Sequence, residues 1–157
     1  KQFDQVTVDV IKLTDFPMPL FGQDIEAEKG YPKEAIQLRQ LLSEYDGYLI
    51  ASPEHNSMMP AFLKNTFDWL SRIKIEDEKG IFANKPVVLV STSPGGRGGM
   101  TNLQNMVNIL PYWGADIKGN YSVPSFFDYF ENGNLNGEHK ERLLELIQNF
   151  ENQLMEE

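Results

Sequence analysis

The sequence predicts an α/β fold, with a doubly wound parallel sheet carrying helices on both faces. Uncharged apolar runs at residues 48–51 and 87–91 are short enough to be buried strands. Each ends in a polar or glycine-rich loop, and helical apolar spacing follows each loop. Repeated strand, loop and helix units build a parallel sheet, whose ligands sit beyond the carboxyl ends of its strands. A chain of 157 residues fits one domain, 1–157, with a single covered core.

The elements follow in order. Val6, Val8 and Val10 alternate with Thr7 and Asp9 ahead of Ile11 and Leu13, which predicts an edge strand over residues 6–13. Pro17 and Pro19 lack the N–H a ladder needs, so residues 16–21 form an extended connection. The charged residues 24–33 read as a surface loop. Ala35, Leu38, Leu41, Leu42 and Tyr45 then recur at helical steps and predict a helix over 33–45, stopped by Asp46-Gly47.

Beyond the strand at 48–51, Phe62, Leu63, Phe67, Leu70 and Ile73 mark a helix. After the strand at 87–91, Leu103, Met106, Val107 and Leu110 mark another. Residues 116–123 read as a weaker strand, interrupted by Gly119. Asn132-Gly133 and Asn136-Gly137 signal turns, and Leu143, Ile147, Phe150 and Leu154 form the stripe of a closing helix.

Asp and Glu number 23 against 14 Lys and Arg, a formal charge of −9. That balance argues against nucleic acid and anionic membranes as partners. The absence of cysteine excludes disulfides, thiolate metal sites and a cysteine nucleophile. No run approaches the roughly 18 apolar residues of a membrane span, and no basic-then-apolar leader is present, so the expectation is a cytoplasmic protein. His55 and His139 are the only histidines and have no metal-ligand spacing. A hydrolase triad of Ser52, His55 and Asp68 lacks a G-x-S-x-G elbow.

Ser52-Pro53-Glu54-His55-Asn56, then Pro60, then Leu63-Lys64-Asn65-Thr66-Phe67-Asp68-Trp69 resembles the signature of the NADPH-dependent FMN reductase family. The family's usual wording has Tyr where His55 stands and Ala where Thr66 stands. The resemblance implies a flavodoxin-like fold, FMN as cofactor and NADPH or NADH as electron donor. It also implies a small-molecule acceptor such as a quinone, azo compound or chromate, and a homodimer or homotetramer in which the helix bearing Trp69 packs at the interface. Tyr112-Trp113 reads either as lining a partner's pocket or as covering the core.

Cofactor contact is expected from Pro53, Glu54, His55, Asn56 and Ser57, and from Ser93, Pro94, Gly95, Gly96 and Arg97 in the glycine-rich loop. Bare amides in that loop suit close approach to a flavin, while no G-x-G-x-x-G dinucleotide fingerprint can be read through it. Glu54 reads equally as favourable charge at a helix N-terminus. Arg97 reads as a partner for the NADPH phosphate or as solvated. The flavin carries the chemistry, so no acid, base or nucleophile is assigned.

In the family a first strand, a phosphate-binding loop and a helix come before the segment at residues 6–13. In the order 2-1-3-4-5 that strand would separate residues 6–13 from residues 48–51. The expectation is therefore a member lacking these elements that binds FMN weakly. The alternative is a non-catalytic flavodoxin-like dimerisation module that does not retain FMN.

Overall fold

The computed structural model describes residues 6–76 and 78–156. Strands β1 (Tyr48–Pro53), β2 (Pro86–Thr92) and β3 (Asp116–Val123) run parallel in the order β1-β2-β3. Helices α1 (Gln23–Lys29) and α2 (Lys33–Ser43) precede β1. Helix α3 (Ala61–Leu70) joins β1 to β2, and α4 (Met100–Ile109) joins β2 to β3. A short α5 (Phe126–Tyr129), a hairpin of β4 (Phe130–Glu131) and β5 (Asn134–Leu135), and the long α6 (Gly137–Glu156) complete the chain.

Period-two alternation divides the sheet's faces. On β1, Tyr48 and Ser52 are buried while Leu49 and Ala51 are exposed. Tyr48, Val87 and Leu89 share one apolar cluster with Leu38, Leu63, Phe67, Leu70, Leu103 and Met106, so α2, α3 and α4 form a single layer on that face. Helix α6 covers β3 on the other. Gly119, which interrupts the strand pattern, is where α6 comes closest: a Cβ there would lie 2.6 Å from Leu146 Cδ1. The three layers are those expected, with helices on both faces.

The family-like stretch in α3 is largely structural. Trp69 is fully buried, and its Nε1 donates to the Pro19 carbonyl at 2.8 Å. Asn65 accepts from the Phe21 N–H at 2.7 Å and donates to Pro19 O at 3.0 Å, while Phe21 meets the Trp69 ring edge-on at 5.0 Å. The proline-interrupted segment is thereby fastened to α3 without a ladder. Its N–H and C=O groups find side-chain partners instead.

Two expectations are corrected. Residues 6–13 do not form a strand: residues 7–12 lie outside any ladder and Leu13–Asp15 makes a 3-10 turn. Alternation supplies a face but not a hydrogen-bonding neighbour, and among the described residues β1 pairs only with β2. Ile11 and Leu13 pack on the core as side chains, and Tyr45 Oη donates to Asp9 at 3.2 Å. The charged residues 24–33 contain α1 rather than only loop. That helix buries no residue, and it is held from outside by Arg72 Nε, 3.0 Å from each Glu26 carboxylate oxygen. It ends at Gly30, whose φ of 71° suits glycine.

Candidate functional site

The three strands end level. Ser52 and Pro53 stand opposite Ser91 and Thr92, which stand opposite Ser122 and Val123. The loops after β1 and β2 therefore leave adjacent strands at the same end, as the sequence reading expects.

The first loop is a tight turn. His55 N–H donates to Met58 O at 2.9 Å and Met58 N–H donates to His55 O at 3.0 Å. Between them Asn56 and Ser57 have φ of 51° and 64°, the pair of left-handed residues that a type I′ turn requires. Asparagine adopts this region readily and serine less so, which leaves some strain at Ser57. Asn105 of α4 braces the turn by donating to Ser57 O at 3.1 Å. Pro53, His55, Asn56 and Ser57 are exposed along it.

The second loop is pinned from the β3 side. Ser125 N–H donates to Gly95 O at 3.0 Å, Phe126 N–H to Ser93 O at 3.2 Å, and Ser122 Oγ lies 3.0 Å from Arg97 O and from Gly98 O. Gly99 has φ of 77°, and a Cβ there would fall 2.2 Å from Ser91 Oγ. At Gly95 and Gly96 a Cβ would meet nothing within 4 Å, so the surface over these amides is open. Pro94 and Arg97 are exposed beside them, and Arg97 makes no ion pair among the described residues.

Beneath the loops lies a polar knot that sequence reasoning missed. Asn102, fully buried in the first turn of α4, places Nδ2 3.2 Å from Ser52 Oγ and from Pro53 O, and 3.4 Å from Ser91 Oγ. Its Oδ1 is buried without a partner. The Glu54 carboxylate accepts the Asn102 backbone N–H at 2.9 Å. Helix α4 has Gly99 at its N-cap and no side-chain cap of its own, so Glu54 supplies an acceptor at its positive end. Glu54 thus ties the β1 loop to the helix after the β2 loop, which is the electrostatic reading applied to α4 rather than to α3. The available signal for Asn102 was a polar residue beside Leu103 in the helix's apolar stripe.

Apolar surface flanks the loop pair. A groove of about 400 Å³ runs along β1 past His55, Pro60 and Phe62. On the opposite face a cavity of about 360 Å³ is lined by Ala51, Pro53, Val90, Thr92, Phe126 and Phe130. Open amides between apolar walls fit a flat heterocycle with one polar edge. A hydrolytic arrangement is not assembled: Ser52 Oγ is taken up by Pro53 O and Asn102, and Asp68 pairs with Lys64 at 2.6 Å. Trp113 packs on Phe67 with ring centroids 5.1 Å apart, whereas Tyr112 is 87% exposed.

This architecture, with paired loops at the carboxyl end of a parallel sheet, is that of a flavodoxin-like α/β protein. A sequence profile described as NADPH-dependent FMN reductase matches residues 1–128, and the chain belongs to that family. It is 34% identical over 100 residues to a quinone reductase of Escherichia coli K12, covering 64% of this chain and 51% of that one. It is 40% identical over 83 residues to an NADPH:quinone oxidoreductase of Arabidopsis thaliana, covering 53% of this chain and 40% of that one. The chain spans about half the length or less of these curated relatives. The flavoenzyme FerB, an NAD(P)H:(acceptor) oxidoreductase of Paracoccus denitrificans, shares the fold with a TM-score of 0.66 at 22% identity, over 88% of this chain and 76% of that one.

Proposed function

We propose that this chain works as an FMN-dependent NAD(P)H oxidoreductase with a quinone-like small molecule as electron acceptor. The observation that carries the reading is the coupling of two exposed loops at the sheet's carboxyl end through Glu54 and Asn102. Pro53, Glu54, His55, Asn56 and Ser57 on one side, and Ser93, Pro94, Gly95, Gly96 and Arg97 on the other, would hold the flavin ring. A flavin held there would supply the redox chemistry, between NAD(P)H as hydride donor and the acceptor.

The protein's own contribution is positional and electrostatic. The open amides of the glycine loop and the Asn56 side chain offer dipoles to an electron-rich ring edge, a stabilisation that needs no rearrangement because both loops are already fixed. Apolar walls flank them. A cytoplasmic homodimer belongs to the same proposal. No helix among the described residues is long and apolar enough to cross a membrane.

The test is flavin titration of the protein, followed by fluorescence, together with NADPH-dependent reduction of a quinone, an azo dye and chromate. Asn56→Gly keeps a residue that tolerates φ of 51° while deleting the side chain, and is expected to weaken flavin binding by about tenfold, at about 1.4 kcal/mol per tenfold. Lys64→Ala, which removes only a half-buried ion pair to Asp68 within one helix, is expected to leave affinity unchanged. Equal affinities in these variants would remove the ring site. A colourless, inactive dimer would favour the non-catalytic module.

A further inference from the structure

A cavity of about 440 Å³ lies between the glycine loop, β3 and α6, and its walls have the opposite sign to the protein as a whole. The chain carries a formal charge of −9, yet this cavity is lined by Arg97, Arg142 and His139, with Gln104, Asn120 and Tyr121, and by no carboxylate. Neither guanidinium makes an ion pair among the described residues. Glu138 and Glu141 are close in sequence on α6, but neither lines the cavity.

Two features fix the walls. Arg97 is held through its backbone, because Ser122 Oγ donates to its carbonyl at 3.0 Å. Tyr121 Oη stands 2.6 Å from His139 Nδ1. Burial raises the Tyr121 pKa. Planar guanidinium forks and amide groups, without a competing carboxylate, match the oxygens of a phosphoryl group.

We propose that this cavity binds a phosphomonoester dianion through Arg97 and Arg142, and that it receives the adenosine 2′-phosphate which distinguishes NADPH from NADH. The second half rests on the oxidoreductase reading. The cavity borders Gly96 and Arg97, so a dinucleotide lying across the glycine loop would place one end near the candidate ring site and the other here.

The experiment is calorimetric titration of the whole chain at low ionic strength with 2′,5′-ADP, 5′-AMP and inorganic phosphate. The expected result is binding of 2′,5′-ADP at least about tenfold tighter than 5′-AMP, weakened about tenfold by Arg97→Ala or Arg142→Ala and progressively by added salt. Lys140→Ala, which removes the same charge from α6 outside the cavity, is expected to change affinity by less than about twofold. Inorganic phosphate binding as tightly as 2′,5′-ADP, with the same arginine dependence, supports the anion site and assigns it to a free oxyanion. Affinities that are equal for 2′,5′-ADP and 5′-AMP and unmoved by either arginine substitution overturn the proposal. Flavin binding is scored separately: arginine-dependent anion binding without flavin binding defeats only the proposed oxidoreductase function, and the reverse result defeats only this cavity.

Discussion

Glu54→Ala tests whether the two loops depend on one carboxylate. In the native protein this half-buried side chain accepts the Asn102 N–H at 2.9 Å, at an α-helix terminus lacking any other side-chain cap. A hydrogen bond to a charged group contributes about 1.5–3 kcal/mol, and the partial exposure of Glu54 favours the lower part of that range. A loss of about 2 kcal/mol is expected, corresponding to about thirtyfold in the folding equilibrium. Glu54→Gln keeps an acceptor but loses the charge at the helix terminus, so its cost should fall to about 0.5–1 kcal/mol. Urea unfolding measures both, with the m-value unchanged if only stability moves. Amide exchange at Asn102 localises the effect: its protection should fall in Glu54→Ala more than that of Met106, deeper in α4. An unchanged unfolding midpoint with unchanged Asn102 exchange would refute the coupling.

Other substitutions address neighbouring features. Gly99→Ala brings a Cβ to 2.2 Å from Ser91 Oγ at a φ of 77°, and should cost at least about 1–3 kcal/mol by thermal or urea unfolding. Ser57→Gly relieves a φ of 64° within the type I′ turn and should raise stability by about 0.5 kcal/mol in the same measurement. Tyr48 should titrate last among the tyrosines in an ultraviolet pH titration: burial, with the Glu78 charge adding to it, pushes its phenol up to about 12. Because the folded value lies above the ordinary 10, this contribution to stability is complete below pH 10 and is lost as pH rises towards 12; Tyr48→Phe should flatten that part of the stability profile.

Elements whose signal is local were legible in the sequence. The β-branched run of β2 and the apolar stripes of α2, α3, α4 and α6 each carry their own burial pattern, so their type follows from periodicity. The alternating valines at residues 6–13 show the limit of that reasoning, since alternation describes a strand's face while strand formation needs an edge to pair with. Helix α1 was hidden for the converse reason: Gln23–Lys29 has no buried stripe, and its anchor, Arg72, lies on a turn after α3. The exposed loop residues were recognisable from the wording of the sequence. The knot of Ser52, Ser91 and Asn102 was not, because its members are 50 and 11 residues apart and meet only through the parallel register of β1 and β2.

The fastening of residues 19–21 to α3 has a kinetic consequence. Its hydrogen bonds join residues separated by 44, 46 and 50 positions, whereas the Lys64 to Asp68 pair on the same helix spans only four. Contacts of such separation form after the chain has lost much of its loop-closure entropy, so α3 can take shape before the segment containing Pro17 and Pro19 settles on it. Asn65→Ala should therefore accelerate unfolding far more than it slows folding, moving chiefly the unfolding limb of a chevron plot. A change confined to the folding limb would place the fastening in the folding nucleus instead.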